Sequence, residues 1–147
     1  MEYMTFRENI ERYQDRVNFA SFGNGISDEW IDKAEQRLGV KFPPSYVWWL
    51  KNYRGGEIDG DEIYSVYARE FGSVAGGDVV YQNMLDRKQG WATADQLMIQ
   101  RNDQGEDFYF DLSQQGDDGE APVYEMSANV KYADTFLDFI IRRLTDN

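Results

Sequence analysis

The chain has 147 residues, no cysteine, no histidine and a net charge of −12. That length suits one domain, and 41% hydrophobic content with nine Phe, ten Tyr and four Trp supplies an aromatic core, which excludes global disorder. The missing Cys and His exclude disulfides, thiolate or imidazole metal sites and cysteine or histidine catalysis, and no apolar run approaches the ~18 residues of a membrane helix. The opening MEYMTFRENIERYQDR has neither the basic flank nor the apolar stretch of a secretory signal, so the expected location is cytoplasmic.

In chain order, residues 5–16 read as a first helix, with Phe6, Ile10, Tyr13 and Val17 on one side. Ser21 to Gly25 is a loop. Ser27 is a helix N-cap, and Asp28 and Glu29 occupy a first turn where the helix dipole favours acids. Ile26 packs on Ile31 as a hydrophobic staple, and Ile31, Ala34 and Leu38 recur at helical spacing until Gly39 ends the helix. Pro44 opens the next helix, 44–53, along which Tyr46, Trp49, Leu50 and Tyr53 form one apolar stripe ended by Gly55-Gly56. Trp48 points about 100° away from that stripe. It either packs on another helix, such as the first, or is a surface aromatic of the kind enriched at interfaces.

Ile58 to Val66 reads as two short strands around an Asp59-Gly60 turn, and Gly72 to Gly77 as a loop. Val79 to Arg87 is a short helix carrying Val80, Met84 and Leu85. Gln96–Gln100, Asp107–Asp111 and Val123–Met126 are strands, separated by turn-rich segments at 102–105 and 115–119. Tyr132 to Leu144 is the closing helix, with Phe136, Ile140 and Leu144 on one face, Asp134 near its start and Arg142-Arg143 near its end. Helices first, strands in the middle and a helix last predict an α+β domain spanning 1–147: an antiparallel or mixed sheet with helices packed on one side.

The order of pieces carries a resemblance. Glu35-x-x-Leu38-Gly39-Val40-x-Phe42-Pro43, Tyr46, Leu50, Gly55-Gly56 and Gly60-x-x-Ile63-Tyr64 resemble the SUKH superfamily. Asp107 to Leu112 is similar to the central aromatic strand of that family, Pro122-Val123-Tyr124 to the strand after it, and Ala133-Asp134-x-Phe136-x-x-Phe139 to its closing helix. The likeness spans roughly residues 26–144. Arg54 departs from it, since many relatives carry asparagine before the glycine pair. The resemblance implies a SUKH-like α+β fold and a binding module rather than an enzyme. Bacterial members are mostly immunity proteins of polymorphic toxin systems; fungal ones are linked to cell-wall assembly as intracellular scaffolds or regulators.

The charge is lopsided. Residues 1–56 hold eight Lys/Arg and eight Asp/Glu, whereas residues 57–147 hold seven against nineteen. Asp103 to Glu125 carries eight acids with no Lys or Arg between them. Such a field repels nucleic acid and anionic membranes and attracts a basic protein. Taken with the resemblance, which implies a cognate toxin, the charge makes the expected partner a basic, nuclease-type toxin, whose cleft an acidic surface engages by imitating phosphates. The candidate contacts are Glu57, Asp59, Asp61 and Glu62 of the hairpin, Asp103, Glu106, Asp117, Asp118 and Glu120 at strand ends, and Trp48.

No catalytic, metal or cofactor residues are expected. The run from Asp103 fails as a calcium loop because its sixth position is Phe108 rather than glycine. Gly55-Gly56 and Gly76-Gly77 match no phosphate-loop pattern. Acid pairs abound among nineteen carboxylates, but none is singled out beside a nucleophile or an oxyanion stabiliser.

Overall fold

A computed structural model describes residues 2–71 and 76–146. Residues 72–75 of the expected 72–77 loop lie outside the described residues. The elements run α1 (Tyr3–Arg12), β1 (Val17–Phe19), α2 (Asp28–Leu38), α3 (Pro44–Tyr53), β2 (Gly56–Ile58), β3 (Asp61–Ile63), α4 (Val79–Lys88), β4 (Gln96–Arg101), β5 (Asp107–Asp111), a 3-10 turn (Leu112–Gln114), β6 (Val123–Glu125), β7 (Val130–Ala133) and α5 (Phe136–Thr145). This is the expected α+β class.

Two antiparallel sheets form, ordered β1-β2-β3 and β4-β5-β6-β7. They adjoin where the Tyr64 N–H donates to the Ile99 carbonyl at 2.7 Å, just past the end of β3. Phe108 and Phe110 of β5 pack under the helices: Phe110 lies 5.6 Å from Tyr46 of α3, and Phe108 lies 5.1 Å from Phe139 of α5. Trp49 and Phe136 close this cluster at 5.2 Å. The stripe Tyr46, Trp49, Leu50, Tyr53 is buried throughout, as are Ile31, Ala34 and Leu38 of α2. Gly39 takes the left-handed conformation (φ 69°), as a helix stop there requires. Ser27 occupies the N-cap of α2, but its side chain caps no backbone N–H. That end is held by the burial of Ile26 and Ile31, by the Ile26 N–H bond to the Leu50 carbonyl at 2.9 Å and by the Lys51–Asp28 ion pair at 2.9 Å.

Two expectations are corrected. The first helix ends at Arg12, not at 16, and Val17 belongs to a strand. Its backbone pairs with Ile58, and Phe19 pairs with Gly56, so the hairpin recruits a third strand from residues whose spacing alone reads as helix. The closing helix starts at Phe136 rather than Tyr132. Val130–Ala133 pairs with β6, and Thr135 caps the helix by accepting from the Asp138 N–H at 3.2 Å and donating to its carboxylate at 3.0 Å.

The expected α4 is present, and its inward side carries two polar residues. Val79, Val80, Asn83 and Asp86 are buried, while Met84 is 38% exposed. Asn83 turns inward because β4 has an open edge beside Met98. Its side-chain amide donates to the Met98 carbonyl at 2.9 Å, and its carbonyl accepts from the Met98 N–H at 2.7 Å, doing the work of a neighbouring strand.

Candidate functional site

The hairpin that carries four nominated acids is shaped by glycine. Gly55 and Gly56 leave α3 with φ near +150°. A Cβ on Gly55 would sit 2.6 Å from Ser65 Oγ, and one on Gly56 would sit 2.2 Å from the Asn18 carbonyl. No other residue lets β2 pass between them. Asp59 (φ 51°) and Gly60 (φ 86°) then make the two-residue turn whose twist suits a hairpin.

The four hairpin acids differ in what they touch. Asp59 is held by Arg16, whose Nε and Nη2 donate to its two oxygens at 3.0 and 2.7 Å. That bond keeps the Asp59 carboxyl below the usual carboxylate range. Arg16 also donates to the Leu144 and Arg143 carbonyls, tying the turn to the end of α5. Glu62 accepts a short hydrogen bond from the Tyr67 hydroxyl, which in turn accepts from the Gly77 N–H at 2.8 Å. Burial, then the Glu62 carboxylate, push the Tyr67 hydroxyl well above its ordinary pKa. Glu57 faces Glu62 across the ladder, an unfavourable like-charge pair, and both are half-buried. Among the described residues, the Glu57 and Asp61 side chains have no hydrogen-bond or ion-pair partner.

The run from Asp103 to Glu125 is not one continuous field. Glu106 accepts from Asn102 Nδ2 at 2.8 Å and from Arg143 Nη1 at 3.3 Å. Asp107 pairs with Arg101 at 2.8 Å. Asp111 binds Ser113 and Gln114. Glu125 is buried and accepts from the Asp107, Ser127 and Ala128 N–H groups. Burial raises its pKa, but those bonds outweigh burial and leave it lowered. Asp118 accepts from the Glu120 N–H at 2.9 Å. Glu120 accepts from Ser45 N and Oγ at 3.0 and 2.7 Å, a cap for α3 supplied from 75 residues away. Asp103 and Asp117 alone of the eight are exposed with no side-chain partner among the described residues.

The nominated residues therefore fall into two groups. The hairpin turn and the 102–106 turn are both fastened to the end of α5. Asp117, Asp118 and Glu120 sit at the start of α3, a ten-residue helix about 15 Å long, and the hairpin leaves from that helix's other end. Trp48 is a helix-packing residue. Tyr3 of α1 stacks on it at 4.2 Å and 5°, and the edge of Phe6 meets it at 5.8 Å.

A concavity of about 420 Å³ beside the hairpin carries residues that the charge pattern does not single out. Arg54, Arg69, Ser65 and Tyr67 line it together with Glu62 and the glycine pair. Arg54 adopts φ 67°, ψ −32°, and Ala68 has φ 57°, so the pocket is flanked by backbone that a side chain strains to adopt. Neither arginine has a side-chain partner among the described residues. Arg54 and Arg69 line the same pocket as Glu62, so this end of the molecule offers both signs of charge. Of Arg54, Ser65, Tyr67 and Arg69, the sequence singles out Arg54 alone, as a departure from the family resemblance.

Two carboxylates do converge elsewhere: Asp86 and Asp107 both reach Arg101, at 3.5 and 2.8 Å. Asp86 is fully buried with Oδ1 unpaired, and burial raises its pKa above the ordinary value. Arg101 stands between the two acids, so they make an ion triad rather than an acid–base pair sharing one substrate. Among the described residues no three Asp/Glu side chains are grouped to hold a metal, and no helix is long and apolar enough to cross a membrane.

No curated protein matches the chain. The family model SUKH_6, described as SMI1-KNR4 cell-wall, matches residues 28–140, from the first residue of α2 into α5. With three quarters of its length matched and the glycine-built hairpin, the aromatic β5 and the capped α5 in order, the chain belongs to the SUKH family.

Proposed function

We propose that this protein is an immunity protein: a cytoplasmic binding module that neutralises a basic, nuclease-type toxin by covering its active surface. Domains of this family are generally non-catalytic binding domains. The observation that carries the reading is the set of carboxylates with no internal partner, Glu57 and Asp61 on the hairpin with Asp103 and Asp117 on the strand-end loops, in a molecule of net charge −12. Unpaired acids lose no internal bond when they meet a cation, so they are free to steer and hold a basic surface. Asp59, Glu62, Glu106, Asp118 and Glu120 support the contact surface from behind, because their hydrogen bonds set the turns that present the free acids. Trp48 contributes by fixing α1 on α3.

The test is co-expression with the adjacent open reading frames of the source genome. Rescue of growth from a toxic, basic neighbour, lost when Glu57, Asp61, Asp103 and Asp117 are all changed to alanine, supports the reading. Failure of the chain to bind or neutralise any such product refutes it. The description of the family as cell-wall favours a second reading, a scaffold for cell-wall assembly. Capture of cell-wall enzymes, with no toxin, distinguishes it.

A further inference from the structure

The outward face of α4 carries apolar residues that the fold leaves unused. Its buried side is spent on Asn83, which seals β4, and on Asp86, which meets Arg101. Met84 is left exposed and Leu85 half-buried. Together with Val80 and Tyr81 they floor a groove of about 580 Å³ between α4 and α2, with Phe71 at one side. What sets them apart from a singly exposed apolar residue is that they adjoin one another in one groove.

The groove is basic although the chain as a whole is acidic. Arg37 of α2 and Arg87 and Lys88 of α4 line it. Arg37 and Lys88 are exposed and have no side-chain partner among the described residues. Arg87 donates to the Leu38 and Ala94 carbonyls, yet its Nε is buried without an acceptor. An adjoining, more polar hollow of about 460 Å³ shares Arg37 and Phe71 and adds Trp30, Lys33, Gln36 and Glu70. An apolar groove with Arg37, Arg87 and Lys88 in its lining, on a chain of net charge −12, is complementary to a molecule with an apolar body and one negative head.

We infer that the α2–α4 groove binds a small apolar carboxylic acid, its chain lying over Met84, Leu85 and Tyr81 and its carboxylate at Arg37 and Lys88. The site is separate from the acidic contacts proposed above and does not rest on them.

Isothermal titration with decanoate, and with decyltrimethylammonium as the oppositely charged control, tests this. Saturable binding of one decanoate per chain is expected, at least about tenfold tighter than the ammonium, since two cations meet one head. The double variant Arg37→Glu/Lys88→Glu, at two exposed positions, reverses that preference. Met84→Glu abolishes decanoate binding while the thermal midpoint stays that of the wild type. Binding that ignores head-group charge, binding unchanged in both variants, or no saturable binding below millimolar decanoate overturns the inference.

Discussion

Replacing Asn83 tests whether α4 is welded to the sheet by one side chain. Asn83 is fully buried and makes three bonds: donors to Val79 O at 2.8 Å and Met98 O at 2.9 Å, and an acceptor for Met98 N at 2.7 Å. Val79 O lies within the helix ladder and keeps a backbone donor. Met98 is buried and loses both of its partners on that edge. A buried, unpaired donor or acceptor costs about 1–3 kcal/mol, so Asn83→Ala is expected to cost about 2–5 kcal/mol. That is a large share of the roughly 5–15 kcal/mol by which a domain is stable. Asn83→Leu separates the causes, because it keeps the volume and leaves the same two groups unpaired. Urea unfolding followed by circular dichroism reads both variants, with an unchanged m-value showing that the unfolded state is the same. A loss below about 0.5 kcal/mol for Ala, or full recovery by Leu, refutes the edge-sealing role.

Three further outcomes follow from the packing and the charges. Leu38→Ala, at a buried position of α2, costs about 2–5 kcal/mol in the same assay, and no measurable shift removes Leu38 from the core. Glu120→Ala weakens folding by about 0.5–2 kcal/mol through the lost cap on α3, and Ser45→Ala adds little more to it in the double variant; full additivity contradicts the cap. Glu125, with its pKa held below the usual 4.5, contributes stability that is complete above pH 4.5 and is lost as the pH falls through the lowered value. Glu125→Gln is therefore destabilising at pH 7 and its difference from the wild type shrinks in acid; a difference constant with pH contradicts the assignment.

The helices at the centre of the chain were legible because their signals are local. Gly39, Pro44 and the stripe Tyr46–Tyr53 mark ends and faces by residue type alone, and Asp59-Gly60 marks the turn. β1 and β7 were not legible. Each is three or four residues whose strand character comes from a distant partner, Ile58 for Val17 and Val123 for Ala133. The burial of Asn83 and Asp86 could not be read from α4, because what they satisfy, Met98 and Arg101, lies on another element.

The acids were countable in sequence, but their partners were not. Arg16 lies 43 residues from Asp59 and Ser45 lies 75 from Glu120, so free and engaged carboxylates look alike in a charge count.

The central claim is that unpaired acids on the hairpin and loops steer a basic protein. The most direct measurement is the association rate of wild type and of the Glu57→Ala/Asp61→Ala/Asp103→Ala/Asp117→Ala variant with the neutralised partner, at low and high salt. The account predicts slower association for the variant at low salt and a shallower salt dependence, with the two proteins converging as salt screens the field. Equal rates and equal salt slopes for the two proteins would show that the acids serve solubility and that recognition lies elsewhere.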